Sequence, residues 1–133
     1  MPSVFKDLID RKLPAFIVYE DTYTLAFLDR HPLTAGHTIV IPKREYKDIF
    51  DMPPKELAHV MASAKKVAEL LQKRLPCQGV NILHASGKAA QQSVFHFHIH
   101  VVPRTDKDGM DTWPKGDGKK VDLSAVQHKI LGK

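Results

Sequence analysis

The spacing of apolar residues changes several times along the chain, and each change marks an element. Val4, Phe5, Leu8 and Ile9 share one face of a short helix over 3–12, with Ser3 as a candidate cap and Pro14 as its stop. Phe16 to Glu20 and Thr24 to Leu28 are β-rich and flank Asp21-Thr22-Tyr23, the pattern of a hairpin. A loop at 31–36 follows, then a third strand from His37 to Ile41, ended by Pro42. After Asp51-Met52-Pro53-Pro54, residues Leu57, Val60, Met61, Ala64, Val67, Ala68 and Leu71 form one helical stripe bounded by Pro76. Gly79 to Leu83 and Ser93 to Val102 predict a fourth and a fifth strand, the last ended by Pro103. The stretch after Arg104 is irregular and closes in a modest amphipathic helix carrying Leu123, Val126 and Ile130.

Strands and helices do not alternate as βαβ units. The order predicts an α+β fold, with a mostly antiparallel sheet and the long helix on one face. With no internal repeat or linker, 133 residues read as a single domain.

Composition narrows the classes. No apolar run reaches the ~20 residues of a membrane span. Charges at Lys6, Asp7, Asp10, Arg11 and Lys12 interrupt any signal-peptide core, so a mature start near Met1 is expected. Cys77 is the lone cysteine, which points to a reducing, intracellular compartment and an inert thiol. The net charge of +5 favours anionic ligands, but its Lys/Arg pairs are scattered, and no specific nucleic-acid site is expected.

The segment Phe95-His96-Phe97-His98-Ile99-His100-Val101 alternates strictly. On a strand, the three histidines would share one face, and Phe95, Phe97, Ile99 and Val101 would enter the core. The apolar half needs no further explanation. Three imidazoles in register, with Cα atoms roughly 6.5–7 Å apart along the strand, do need one. Two chemistries fit. Imidazole is a common transition-metal ligand. Alternatively, one neutral imidazole attacks phosphorus while its neighbours donate to the non-bridging oxygens. His37, on another strand, is placed to orient one of the three.

His96-Phe97-His98-Ile99-His100-Val101-Val102 resembles the signature of the histidine triad (HIT) superfamily. Gln92-Ser93-Val94-Phe95, Pro103-Arg104, Gly36 to Lys43, Val18 to Asp21 and Ala26 to Asp29 resemble its flanking blocks, from about Val4 to Trp113. The resemblance implies a five-stranded antiparallel sheet, usually dimerised into one continuous sheet. It implies cleavage of nucleoside monophosphate conjugates through a covalent nucleotidyl-histidine, with bacterial-type and Hint-type members as the nearest branches. His98 would be the nucleophile. His96 and His100 would contact the α-phosphate, His37 would complete the set, and Ser93 would lie near the phosphate or leaving group. Asp29 would hold the ribose hydroxyls, Val4, Phe5, Leu8, Phe27 and Leu28 would line the base pocket, and Gln92 would join the substrate site.

Departures from the family pattern carry their own expectations. Ser3 and Lys6 stand where some members have zinc-binding cysteines, and Glu45 stands where a histidine often follows the Ile-Pro-Lys block. No structural zinc and no cofactor for the covalent step are therefore expected. Ala85 lies where Asn or Gln is common, and Gln91 where glycine is common. The partners implied are a purine nucleoside monophosphate conjugate and a second copy of the chain, with no membrane, in the cytoplasm or nucleus. The alternative is a nucleotide-binding scaffold with little or no hydrolase activity. His31, His59, His84 and His128 are expected outside the chemistry, with His84 the nearest to it.

Overall fold

A computed structural model describes residues 3–133. The elements are α1 (Val4–Ile9), β1 (Ile17–Glu20), β2 (Thr24–Leu28), β3 (Thr38–Pro42), α2 (Pro54–Arg74), β4 (Gly79–Leu83), β5 (Ile99–Arg104) and α3 (Leu123–Leu131). Five antiparallel strands form one sheet in the order β1-β2-β3-β5-β4. This is the α+β architecture that the sequence predicts.

The two faces of the sheet explain the long apolar runs of β2 and β3. Ala26 and Val40 face α2 and pack with Val60, Ala64, Val67 and Leu71. Leu25, Phe27, Ile39 and Ile41 point the other way and pack under Phe5 and Leu8 of α1. With both faces covered, alternation along these strands is between two apolar environments. On β5, Ile99 and Val101 join the α2 face, which leaves His100 to the α1 face. That division puts the histidines beneath a short helix rather than beneath the main core.

Five expectations need correction. Helix α1 ends at Ile9, because Asp7 O accepts both the Lys12 and Leu13 N–H groups and Arg11 turns left-handed at φ 61°. Ser3 precedes α1 but does not cap it through its side chain. Met61 is 47% exposed: it lies one position round from Val60, and the buried stripe is narrower than the apolar one. The fifth strand begins at Ile99, not Ser93, and runs through Pro103, which pairs with Val80, to Arg104. Residues 93–98 are irregular because their backbone serves the 42–47 loop, with Phe97 N–H donating to Tyr46 O at 2.6 Å. Phe95 is accordingly turned out of the core, half exposed, with Lys47 Nζ 5.7 Å from its ring centre.

Gly36 opens β3 at φ 100°, and a Cβ there would lie 2.5 Å from a Leu75 methyl and 3.1 Å from Pro103 Cγ. Left-handed backbone alone costs an L-residue roughly 1–2 kcal/mol. Gly36→Ala should therefore lower stability by at least about 1 kcal/mol, read as a melting temperature lower by roughly 3 °C or more. An unchanged melting curve would contradict this account of the turn.

Candidate active site

A cleft of about 460 Å³ opens between α1, the end of β2 and the start of β5. Val4, Phe5, Leu8, Phe27 and Leu28 supply its apolar wall, and Asp29, Ser93, His98 and His100 supply polar groups. Gln92 and Ala85 also line it. Of the candidate catalytic and substrate-binding residues, His37 and His96 are not in its wall: His37 Nε2 meets Nδ1 of the lining His100, and the His96 ring packs on Phe5. Leu13, Phe16, Ile39 and Val94 extend the apolar wall beyond the expected set. They belong to the α1–β1 connection, to β3 and to the irregular run before β5. Nothing in their own spacing marks them as lining residues.

Hydrogen bonds decide which ring nitrogen of each histidine carries the proton. His98 Nδ1 lies 2.8 Å from the carbonyl oxygen of His96. A carbonyl only accepts, so Nδ1 holds the proton and Nε2 keeps its lone pair. The ring is 7% exposed and is packed edge-on by Phe5, 5.2 Å between ring centres. For His37, the backbone N–H of Leu33 donates to Nδ1 at 3.0 Å, so the proton of the neutral ring sits on Nε2. That N–H donates to His100 Nδ1 at 2.8 Å, with Asp29 Oδ2 3.5 Å away as a second acceptor. His100 must then carry its proton on Nε2. The site thus offers an unprotonated nitrogen on His98 beside an N–H donor on His100, with the rings 5.0 Å apart.

His96 departs from expectation. It is 1% exposed, its Nε2–H donates to Pro42 O at 2.8 Å, and its Nδ1 lies 3.2 Å from Ser3 Oγ. With both nitrogens engaged, it contributes the carbonyl that orients His98 rather than a ring contact with the cleft. Gln92 also departs from expectation. Its side-chain carbonyl accepts from Gly87 N–H, and its amide donates to Lys47 O and Val94 O, so the side chain braces the loop. Asp29 Oδ1 accepts from the His31 N–H at 2.8 Å, which fixes the carboxylate at the cleft edge.

Burial lowers the pKa of His37, His96, His98 and His100. For His37, the Asp29 carboxylate partly opposes this. For His100, desolvation acts together with the neighbouring His98 and His37, and the value falls to about 4. All four rings are thus held neutral near pH 7, which removes the mutual repulsion that a charged cluster would suffer.

Two further histidines have partners that sequence reasoning did not assign. His59 is not simply exposed: it meets Asp21 Oδ2 at 3.3 Å and packs on Tyr23, tying α2 to the β1–β2 turn. His84 donates from Nδ1 to the carbonyl oxygen of His98 at 2.8 Å. Only its nearness in sequence to the triad pointed to it. Gln91 adopts φ 74°, a left-handed conformation that explains why glycine suits that position.

Comparison with known proteins agrees with the fold. Residues 10–107 match the HIT domain family model. An uncharacterized HIT-like protein of Methanocaldococcus jannaschii is 41% identical over 129 residues, covering 97% of this chain and 98% of its own. A HIT family protein of Bacillus subtilis superposes with a TM-score of 0.86 at 31% identity, covering 100% of this chain and 97% of that one. A zinc-bound histidine triad family protein of Mycobacterium smegmatis gives 0.79 at 40% identity over 86% and 83%. The five-stranded antiparallel sheet is the fold of these HIT-family structures. The chain belongs to the HIT family.

The lowered pKa values set the sign of an acid effect on stability. Unfolded histidines take up protons near 6.5. The folded rings resist until lower pH, so the unfolded state binds more protons in between. Stability should be fully present above about pH 6.5 and fall as pH drops toward 4. Urea midpoints at pH 7.5, 6 and 5 check this, and a midpoint constant over that range would contradict it.

Proposed function

We propose that the chain is a nucleotide hydrolase or nucleotidyl transferase acting on nucleoside 5′-phosphoramidates or dinucleoside polyphosphates. The observation that carries this reading is the His98 Nδ1–H bond to the His96 carbonyl, which leaves Nε2 as a lone pair in a cleft-lining ring. His98 Nε2 forms a bond to the α-phosphorus as the bond to the leaving group breaks. Water then cleaves the nucleotidyl-histidine, releasing the nucleoside monophosphate and returning the electron pair to Nε2. His100 Nε2–H donates to a non-bridging oxygen, where charge builds in the transition state. The relay from Leu33 through His37 keeps that N–H in place. Ser93 is an exposed residue of the cleft lining, and in this reading it serves the leaving group. Asp29 takes the ribose hydroxyls, and the apolar wall takes a purine base.

No metal takes part in this reading. Asp29, His37 and His100 bring donor atoms within 4.8 Å of one another. A cation between them would need His37 protonated on Nδ1, against the Leu33 N–H that already points there. The Ser3, Lys6 and Glu45 positions do not fit a structural zinc either. Lys6 is a cation, and His96 spends both nitrogens on Ser3 and Pro42. A homodimer is proposed through the open β4 edge, where Ile82 is exposed, in line with an apolar residue left on a sheet edge. Among the described residues no helix is long and apolar enough to cross a membrane, and a cytoplasmic or nuclear location is proposed.

Ala85 supports a second reading, a nucleotide-binding scaffold, because it offers the cleft a methyl group and no hydrogen-bond donor from its side chain. Comparative turnover of adenosine phosphoramidate, diadenosine triphosphate and diadenosine tetraphosphate separates the two. A turning-over wild type should lose at least about 10³-fold in His98→Ala while still binding AMP. A near-normal rate in that variant would refute the mechanism. No turnover of any of the three by the wild type would favour the scaffold.

The rate should carry the same pKa signature. Protonation removes the lone pair of His98, whose pKa is lowered chiefly by burial. The acid limb of kcat/KM should therefore fall below the ordinary histidine value of about 6.5. A limb at or above that value would contradict a buried neutral nucleophile.

A further inference from the structure

His84 enters the site from the strand opposite. Leu83 ends β4 in register with His100, so the chain leaves β4 beside the segment that carries His98. There the His84 ring lies against Phe97, 4.5 Å between ring centres, with Nδ1 2.8 Å from the His98 carbonyl oxygen. The acceptor is a carbonyl, so Nδ1 holds the proton and Nε2 is free to accept. Ser86 Oγ lies within hydrogen-bond reach of that Nε2, and it accepts the Ile49 N–H at 2.9 Å. The directions are set from both ends: Ile49 N–H to Ser86, Ser86 O–H to His84, and His84 N–H to the peptide of His98.

We propose that His84 is a positioning residue for the reaction, holding the His98 peptide so that Nε2 of His98 stays aligned with the phosphorus. Two backbone carbonyls then define the nucleophile. The His96 carbonyl sets the His98 ring through Nδ1, and His84 sets the peptide from which that ring is hung. Neither the cleft wall nor the phosphate contacts include His84, so it acts through His98 and not on the substrate. Its ring is exposed on its outer side, and its removal leaves the buried clusters intact.

The proposal rests on His98 as the nucleophile, and its test separates the two. His84→Ala and His84→Asn are compared with the parent chain. Asparagine keeps a side-chain N–H donor near the position of Nδ1 and alanine keeps none. A misplacement near 1 Å costs about 10²-fold, so His84→Ala should lower kcat by roughly 10–100-fold with KM within about threefold. His84→Asn should recover most of that loss, and both variants should melt within a few degrees of the parent. The 15N signals of the His98 ring should broaden or shift in the alanine variant and return in the asparagine variant. Unchanged His98 signals in His84→Ala would overturn the proposal whatever the activity. So would a kcat within twofold of the parent, or an asparagine variant no better than alanine. If the parent shows no turnover, the reading of His98 fails and the ring signals alone decide the role of His84.

Discussion

A neutral imidazole has one N–H and one lone pair, and burial makes it costly to leave either one unpaired. That constraint governs this molecule. Ring nitrogens of His37, His84, His96 and His98 are each paired with a main-chain group: Leu33 N–H and the carbonyls of His98, Pro42 and His96. His100 receives its assignment through His37. Main-chain groups in and beside a sheet do not rotate freely, so the proton positions follow from the fold. Among the described residues, the lone pair of His98 and the N–H of His100 are what remain once every backbone demand is met.

The fold supplies what those bonds need. The sheet is covered on both faces, by α2 over Ala26, Val40 and Val101 and by α1 over Phe27 and Ile39. Phe5 reaches from α1 to both Phe27 and His98, so one side chain closes the apolar core and shields the nucleophile. Burial in turn lowers the pKa values of His37, His96, His98 and His100 and keeps these rings uncharged near neutrality. Packing, protonation state and chemistry are thus coupled. A change that loosened α1 would hydrate the rings and raise their affinity for protons together.

Much of this was legible in the sequence. The β1–β2 hairpin, the α2 stripe and β4 follow from spacing alone, and the triad and His37 blocks carry the family. What was not legible has a common cause. Alternation at 93–98 mimics a strand, yet the Phe97 N–H is spent on Tyr46 O and the His96 ring on Pro42 O, so Phe95 turns outward and His96 turns inward. Gln92 reads as a ligand residue because it is polar and lies beside the triad. Its partners at Lys47 and Gly87 lie across a loop whose path spacing does not encode. His84 carries no periodic signal, because its role depends on the β4–β5 register and not on its neighbours in the chain.

Main-chain bonds, passed on to His100 through His37, fix which nitrogen of each histidine in the site is protonated. Long-range 1H–15N correlation of the histidine rings in the wild-type protein near pH 7.5 tests it most directly. The account predicts His98 protonated on Nδ1 with a free Nε2, and His37 and His100 protonated on Nε2. A His98 ring protonated on Nε2, or charged at that pH, would contradict it.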